Sequence, residues 1–581
     1  MRRAVLLTFM LTMSLLVFGQ DHSRKDECYV SHYGNEFKEY EGSYKIDNYG
    51  LVTVRLEMGD LLLRPGFWTT TQHLKRLDHD SFVVKRHERL SATFTRNGKG
   101  EVDAVELNGF QKEKGVYSRI KAGSHPVELI LTGKVDDAIR TLKRDNANDE
   151  MMIDIGTTIM ERIPSQMVHA KEYLEQLEAS GLRHATLFRS LGDFYFSTGQ
   201  TEKAIHYYRE SLTADSTPSW ATTALQMLHV LPYDRNSSKG ARWQLPFALS
   251  ELFKAPTMSE IDEVKNEWAM RDLGPRDVRL IERDTMMFGR LQSMVNIVSH
   301  RINGQIHYGA IIVPVNAQRK KFAAVVDLKG VSWNYFPLDL GNSDGVYSPQ
   351  LLCQHASDFV YIVPSFRGEK LILKGKEYLS EGDRTNVWDG AADDGIALLN
   401  AALALFPEID KEKIAAFGKS RGGTVALLMG IRDKRVKRVV DWAGPVDRFK
   451  ARFRGWSEMQ FVEAGVMGRS STSELGGQFI ETFLKESIDG KEGLAQARKR
   501  LLASSPLFFA DMLPKVQIHY GQEDRIVPAT NGEKLERETK TVGHKRVEAF
   551  YHKGEGHDLD LITAFGKSQE FLLQVLKSDK R

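Results

Sequence analysis

The stretch "KIAAFGKSRGGTVALLMG", Lys413 to Gly430, decides how this chain is read. Gly418-Lys419-Ser420 looks like the end of a phosphate-binding loop. Gly418-Lys419-Ser420-Arg421-Gly422 also fits the G-x-S-x-G turn that presents a nucleophilic serine. A phosphate loop needs a further glycine upstream of its Gly-Lys, so that backbone amides can wrap the phosphates. Lys413 occupies that position, and Ile414 to Phe417 is an apolar run rather than a flexible loop. A second Gly-Lys-Ser, at Gly566 to Ser568, has Leu561 at the same place and continues into a helical pattern, so the triplet alone carries no phosphate meaning here. The serine-turn reading has its context: Ile414 to Phe417 reads as a buried strand and Thr424 to Met429 as the start of an apolar helix. The flanking glycines suit a strained turn and a helix that packs close.

A serine hydroxyl is a poor nucleophile at neutral pH. It needs a base to take its proton and a carboxylate to fix the tautomer of that base. On strand-turn-helix scaffolds of this kind the chain order is serine, acid, histidine. After Ser420, the apolar run "KVQIHYG" leads into "QEDRIVP", which holds Asp524 with Glu523 beside it as a rival. "VEAFYHKGEGHD" then supplies a further strand and a loop carrying His557. His544 and His552 are rival bases, but His552 falls within the strand, whereas His557 follows Gly554 and Gly556 in a loop. The expected trio is Ser420, Asp524 and His557.

Three motifs, "GKSRGG", "HYGQEDRIVP" and "GEGHD", resemble the catalytic domain of the prolyl oligopeptidase family within the α/β-hydrolases. "VPSFRGEKL" (Val363 to Leu371) and "WDGAADDGIALLNAAL", the helix before the serine strand, are similar to that family as well. The resemblance covers about residues 285–578. It implies peptide-bond cleavage through an acyl-enzyme, with no cofactor and no metal. Two departures stand out. A β-propeller usually limits access to the site in that family, and here other segments precede the hydrolase. The loop after the first core strand usually carries a His-Gly-Gly or Tyr-Gly-Gly sequence, and here it reads Leu328-Lys329-Gly330-Val331. The oxyanion donors expected are the amides of Arg421, Gly330 and Val331. Lys329 stands at the usual His or Tyr position and either assists the oxyanion through its ammonium or is a solvated side chain. Arg367 in "SFRGE" is a candidate for holding a substrate carboxylate, or else ties down its own loop. Because every expected site residue falls in 285–581, that segment is expected to hold the whole active site.

Outward from the hydrolase, apolar strands alternate with helices from about Asp284 onward, which implies a mostly parallel sheet covered on both faces. The fold class is therefore α/β. Residues 233–284 read as a connector with one helical stretch. Residues 125–232 change period: "TGKVDDAIRTLK", "SQMVHAKEYLEQL" and "TGQTEKAIHYYRESL" align on Ala138, Ala170 and Ala204. That spacing, with Phe188, Leu191, Gly192, Tyr195, Gly199 and Tyr208 at repeat positions of the last unit, resembles tetratricopeptide repeats, which bind peptides or proteins. Residues 30–121 read as a small all-β domain. "YEGSY" at Tyr40 to Tyr44 and "TRNGKGEVDAVEL" at Thr95 to Leu107 resemble small lipocalin-like domains attached to secreted serine hydrolases.

The chain opens "MRRAVLLTFMLTMSLLVFGQ": a positive start, an apolar segment to Phe18 and small residues before Gln20. Residues 1–19 are expected to be a cleaved secretory leader, with no stable membrane anchor and a secreted or periplasmic destination. Composition is that of a globular protein, with 41% hydrophobic and 27% charged residues. The formal net charge of +3 is too small to argue for a nucleic-acid partner. The two cysteines, Cys28 and Cys353, lie far apart in sequence and are expected to be unpaired. The partners expected are a peptide or ester substrate and a protein or peptide at the helical repeats. Three functions compete: a peptidase, an esterase acting on sugars or small esters, and an inactive binding scaffold on a hydrolase fold.

Overall fold

The computed structural model describes residues 37–577, apart from 58–59, 68–70, 85–86, 111–112, 199, 218–219, 228–229, 231–244, 248, 289–290, 316–320, 331–337, 342–347, 384–385, 450–451, 454–455, 458–478, 525, 544–545, 558 and 560–561. The segment expected to be a leader, residues 1–19, together with Cys28, Gly199 and Val331, therefore lies outside the described residues.

Between Gly42 and Ile120, eight short strands pair antiparallel in sequence order. The first returns to the last, with Ser43 opposite Ile120, and closes a barrel. Eight strands leave an interior about wide enough for side chains to fill. Tyr40, Tyr44, Phe82 and Phe94 fill it here, with Phe82 and Phe94 edge to face at 5.6 Å. From Pro126 to Met227 the chain is helical. Helix Asp149–Arg162 packs on Met167–Ala179, and helix Ala185–Ser197 on Thr201–Ala214. In the first pair Gly156 faces Tyr173, and in the second Gly192 faces Tyr208, so one small-to-large contact recurs. Ala138, Ala170 and Ala204 are fully buried.

The rest of the chain builds a nine-stranded sheet. Its strands are β1 (Arg279–Phe288), β2 (Leu291–Ile302), β3 (Gln305–Pro314), β4 (Phe322–Leu328), β5 (Phe359–Pro364), β6 (Ile409–Lys419), β7 (Val436–Trp442), β8 (Lys515–Gly521) and β9 (Val547–His552). The order across the sheet is β9-β8-β7-β6-β4-β5-β3-β2-β1. From β5 through β9 every pairing is parallel, while β1, β2 and β3 run antiparallel at one edge. Strands β4 and β5 are buried at every residue, as a sheet covered on both faces requires. The order reverses at β4 and β5, and the loops beyond the carboxyl ends of such strands are where a site can form.

The boundary after the helices differs from the expected connector at 233–284. The sheet already starts at Arg279, and helix α1 (Met258–Met270) belongs to its core. A reciprocal cap between Thr257 and Glu260 starts α1. Its Trp268 indole donates to Asp389 at 2.8 Å, and Arg271, just past its end, binds Asp389 and Asp393. The carboxylates that anchor it lie on α2 (Asp389–Leu405), more than a hundred residues later, so local composition could not assign the segment to this domain.

Cys353 is disulfide-bonded, which corrects the expectation that it is unpaired. Among the described residues no helix is long and apolar enough to cross a membrane, and no cluster of His, Cys, Asp and Glu has the arrangement to hold a metal.

Candidate active site

Strand β6 ends at Lys419, and helix α3 (Arg421–Arg432) starts two residues on. Ser420 is the only residue between them. Its backbone stands at φ 57°, ψ −123°, a conformation few L-residues adopt, and its amide is held by the Trp442 carbonyl at 2.7 Å. The neighbours explain the glycines. A Cβ on Gly418 would stand 2.1 Å from the Gly422 carbonyl oxygen, and one on Gly422 would stand 1.9 Å from that of Leu328. Neither approach leaves room for a side chain, so the turn brings α3 directly onto the end of β4.

The other two candidates lie on adjacent loops. Asp524 follows β8 and His557 follows β9, and these two strands pair in parallel. The His557 Nδ1 lies 2.7 Å from Asp524 Oδ2. The second carboxylate oxygen of Asp524 accepts from the amides of Ile526 and Val527, each at 2.8 Å. Asp524 is completely buried, so its orientation is fixed from three sides. Glu523, the rival acid, faces Arg64 of the barrel at 3.9 Å. Burial pushes its carboxyl above the ordinary range, and Arg64 opposes that shift. His552, the rival base, is turned to His519, with 3.0 Å between ring nitrogens. Its burial holds it neutral, down to about 4. His544 lies outside the described residues. Strands β6, β7, β8 and β9 are neighbours in that order, so the three loops open on one edge of the sheet. The structure joins acid and base directly; among the described residues no hydrogen bond joins Ser420 to His557.

The expected oxyanion donors Arg421 and Gly330 both lie beside the serine turn. Arg421 is the first residue of α3, where the amide has no acceptor within the helix. A Cβ on Gly330 would lie 3.6 Å from the Ser420 Cβ, so the loop after β4 lies against the serine. The side chain of Arg421, unremarked in the sequence, is almost fully buried. It pairs with Glu369, donates to the Gly330 carbonyl at 3.2 Å, and stacks over Phe366 at 4.7 Å from the ring centroid. One residue thus presents an amide to the site and clamps the facing loop with its guanidinium. Glu369 was missed because nothing in "SFRGEK" marks it as the partner of a residue on another element.

Lys329 departs from the solvated expectation, and Arg367 takes the second of its two expected roles. Lys329 is partly buried rather than solvated, and burial lowers its ammonium to about 8, with Glu369 opposing and Arg421 reinforcing that shift. Arg367 is committed elsewhere than to a substrate carboxylate. Its guanidinium donates to Asp394 at 2.7 Å and to the Gly390 carbonyl at 2.7 Å, and its amide donates to Asp394 at 2.9 Å. The guanidinium, paired with the buried Asp394 carboxylate, holds its own loop against α2.

Beneath the turn lies a second buried carboxylate, Asp441 on β7. It accepts from the Tyr520 hydroxyl at 3.0 Å and from the Gly444 amide at 2.8 Å. Burial raises its carboxyl to about 7, despite these two bonds.

A family model described as a domain of unknown function, DUF3471, matches residues 34–117, the barrel. No curated protein matches the chain. Among solved structures, a puromycin-hydrolyzing peptidase of Mycobacterium tuberculosis is 16% identical over 49% of this chain and 46% of its own, with a TM-score of 0.34. An acetyl xylan esterase of a Thermoanaerobacterium species is 14% identical over 57% of this chain and 99% of its own, with a TM-score of 0.38. The acylaminoacyl peptidase of Pyrococcus horikoshii is 17% identical over 52% of this chain and 42% of its own, with a TM-score of 0.35. This chain thus spans less than half the length of either peptidase. At such scores these likenesses add nothing to the geometry.

Proposed function

We propose that this chain is a serine hydrolase of prolyl oligopeptidase type that cleaves peptide bonds through an acyl-enzyme on Ser420. The observation that carries the reading is the 2.7 Å contact between His557 Nδ1 and the buried Asp524, on loops adjoining a strained serine turn. In this reading the Ser420 hydroxyl attacks the substrate carbonyl and gives its proton to His557 Nε2. Asp524 keeps the other ring nitrogen protonated and stabilises the imidazolium. The amides of Arg421 and Gly330 take up the charge on the carbonyl oxygen. His557 then protonates the departing amine, and water, deprotonated by the same ring, releases the acyl group.

Secretion fits the apolar leader, and the disulfide at Cys353 favours an oxidising compartment. The recurring glycine-to-tyrosine contacts at Gly156 and Gly192 favour tetratricopeptide-type repeats, a surface for a protein or peptide partner. The test is labelling of the full chain by a fluorophosphonate probe, followed by a screen of dipeptide and tripeptide anilides against short aryl esters. Labelling at Ser420 with turnover of anilides is expected. Turnover confined to esters would move the substrate class, and an unlabelled Ser420 in folded protein would leave only a binding scaffold.

A further inference from the structure

The barrel reaches the loops that carry the acid and the base. Arg55 donates to the Lys553 carbonyl at 2.7 Å and stands 4.0 Å from the Glu555 carboxylate. The Thr71 hydroxyl donates to the Gly554 carbonyl at 2.9 Å. Arg64 stands 3.9 Å from Glu523. Both carboxylates and Arg64 are largely buried. Leu62, on the same part of the barrel, packs into the core of the nine-stranded sheet. The contacted residues flank the chemistry: Glu523 precedes Asp524, and Lys553, Gly554 and Glu555 precede His557. The two loops are themselves tied by the Glu523 amide, which donates to the Glu555 carbonyl at 2.9 Å.

These contacts fall on backbone carbonyls and on two side chains of the two loops that must hold one ring nitrogen against one carboxylate oxygen. A small displacement of either loop separates that pair, and catalysis falls steeply with such misplacement. We infer that Arg55, Arg64 and Thr71 are positioning residues for the hydrolase, so that the barrel completes the active site rather than accompanying it. The inference rests on the reading of Ser420 as the nucleophile. It replaces the sequence-based expectation that residues 285–581 hold the whole site.

The test measures saturable inactivation of the full-length chain by a fluorophosphonate, which separates binding of the probe from its reaction with Ser420. In Arg64→Ala and in the double variant Arg55→Ala, Thr71→Ala, the limiting inactivation rate should fall tenfold or more while half-saturation stays within twofold. Thr71→Ala alone should lower that rate about threefold, and Thr71→Ser, which keeps the hydroxyl, should restore it. Arg96→Ala disturbs the barrel at Glu39 and Asp80 without touching the loops, and should react like wild type. Wild-type rates in the folded double variant, or an equal loss in Arg96→Ala, overturn the inference. If the double variant does not fold, the comparison of Thr71→Ala with Thr71→Ser decides. A wild-type chain that the probe never labels overturns the hydrolase reading itself, and a labelled wild type with unaffected variants overturns only the role of the barrel.

Discussion

Arg421 and Glu369 face each other behind the serine turn as a two-point ion pair, with the second contact at 3.1 Å. The arginine is almost wholly out of water, whereas the glutamate is only about one-fifth exposed. Removing one member of such a buried pair strands the other charge and costs about 3–5 kcal/mol. Glu369→Ala is therefore expected to lower the unfolding free energy by roughly that amount in urea titrations. The double change Arg421→Met, Glu369→Leu should recover much of it. A Glu369→Ala protein as stable as wild type would show that solvent reaches the pair.

Asp524→Asn should lower turnover by about four orders of magnitude, because the ring of His557 then loses the partner that fixes its tautomer. Glu523→Gln keeps an acceptor for Arg64 and should cost only about tenfold, the scale of a displaced loop rather than a lost catalytic group. Steady-state kinetics on whichever substrate the screen identifies would rank the two. The opposite ranking moves the acid to Glu523.

Ser420→Ala should abolish covalent labelling without altering the circular dichroism spectrum. Lys419→Ala should cost less than tenfold in turnover, since the turn needs its glycines and its serine but not that ammonium. Intact-mass spectrometry after probe treatment reads the first outcome directly. An adduct persisting in Ser420→Ala would place the nucleophile elsewhere.

Asp441 gives a pH dependence of defined sign. Its carboxyl is raised to about 7 by burial, so the folded state keeps the proton that the unfolded chain releases near pH 4. Stability from this group is present below pH 4 and is lost as pH rises toward 7. Asp441→Asn removes that loss. Melting temperatures taken from pH 4 to pH 8 should show the variant gaining on wild type as pH rises, with the gain levelling off above pH 7. Burial of His519 and His552 acts in the opposite sense, since both are held neutral and cost stability as pH falls below 6.5. The comparison with Asn cancels their contribution, and a constant difference across the range would show that Asp441 does not titrate there.

The sheet and the serine turn were legible because their signals are local. Ile414 to Phe417, the two glycines and the apolar helix lie within eighteen residues, and the acid and histidine each follow an apolar strand. The order of chemistry along the chain needed no knowledge of packing. What escaped was the choice of partners for charged side chains. Arg367 finds Asp394, Arg421 finds Glu369, and Lys329 feels the charges of both Glu369 and Arg421; each of these depends on how separate elements meet in the fold. Residues 233–284 read as a connector because their composition is polar, although Ile261, Val264 and Trp268 supply a buried stripe that recurs every three to four residues. That stripe was the available signal, and it outweighs the polar surroundings.

The hydrogen bond from Arg55 to Lys553 spans 498 positions of the chain. During synthesis the barrel leaves the ribosome early and waits for almost everything else to be made. Ser420 emerges before Asp524, and Asp524 before His557, so a chain stalled after Ser420 carries the barrel and the candidate nucleophile but neither the acid nor the base. Shortening the protein from either end then removes the same function by different routes. From the front it takes away the barrel, and from the back it takes away the base. On the reading of Ser420 as the nucleophile, reactivity then depends on segments near both ends of the chain.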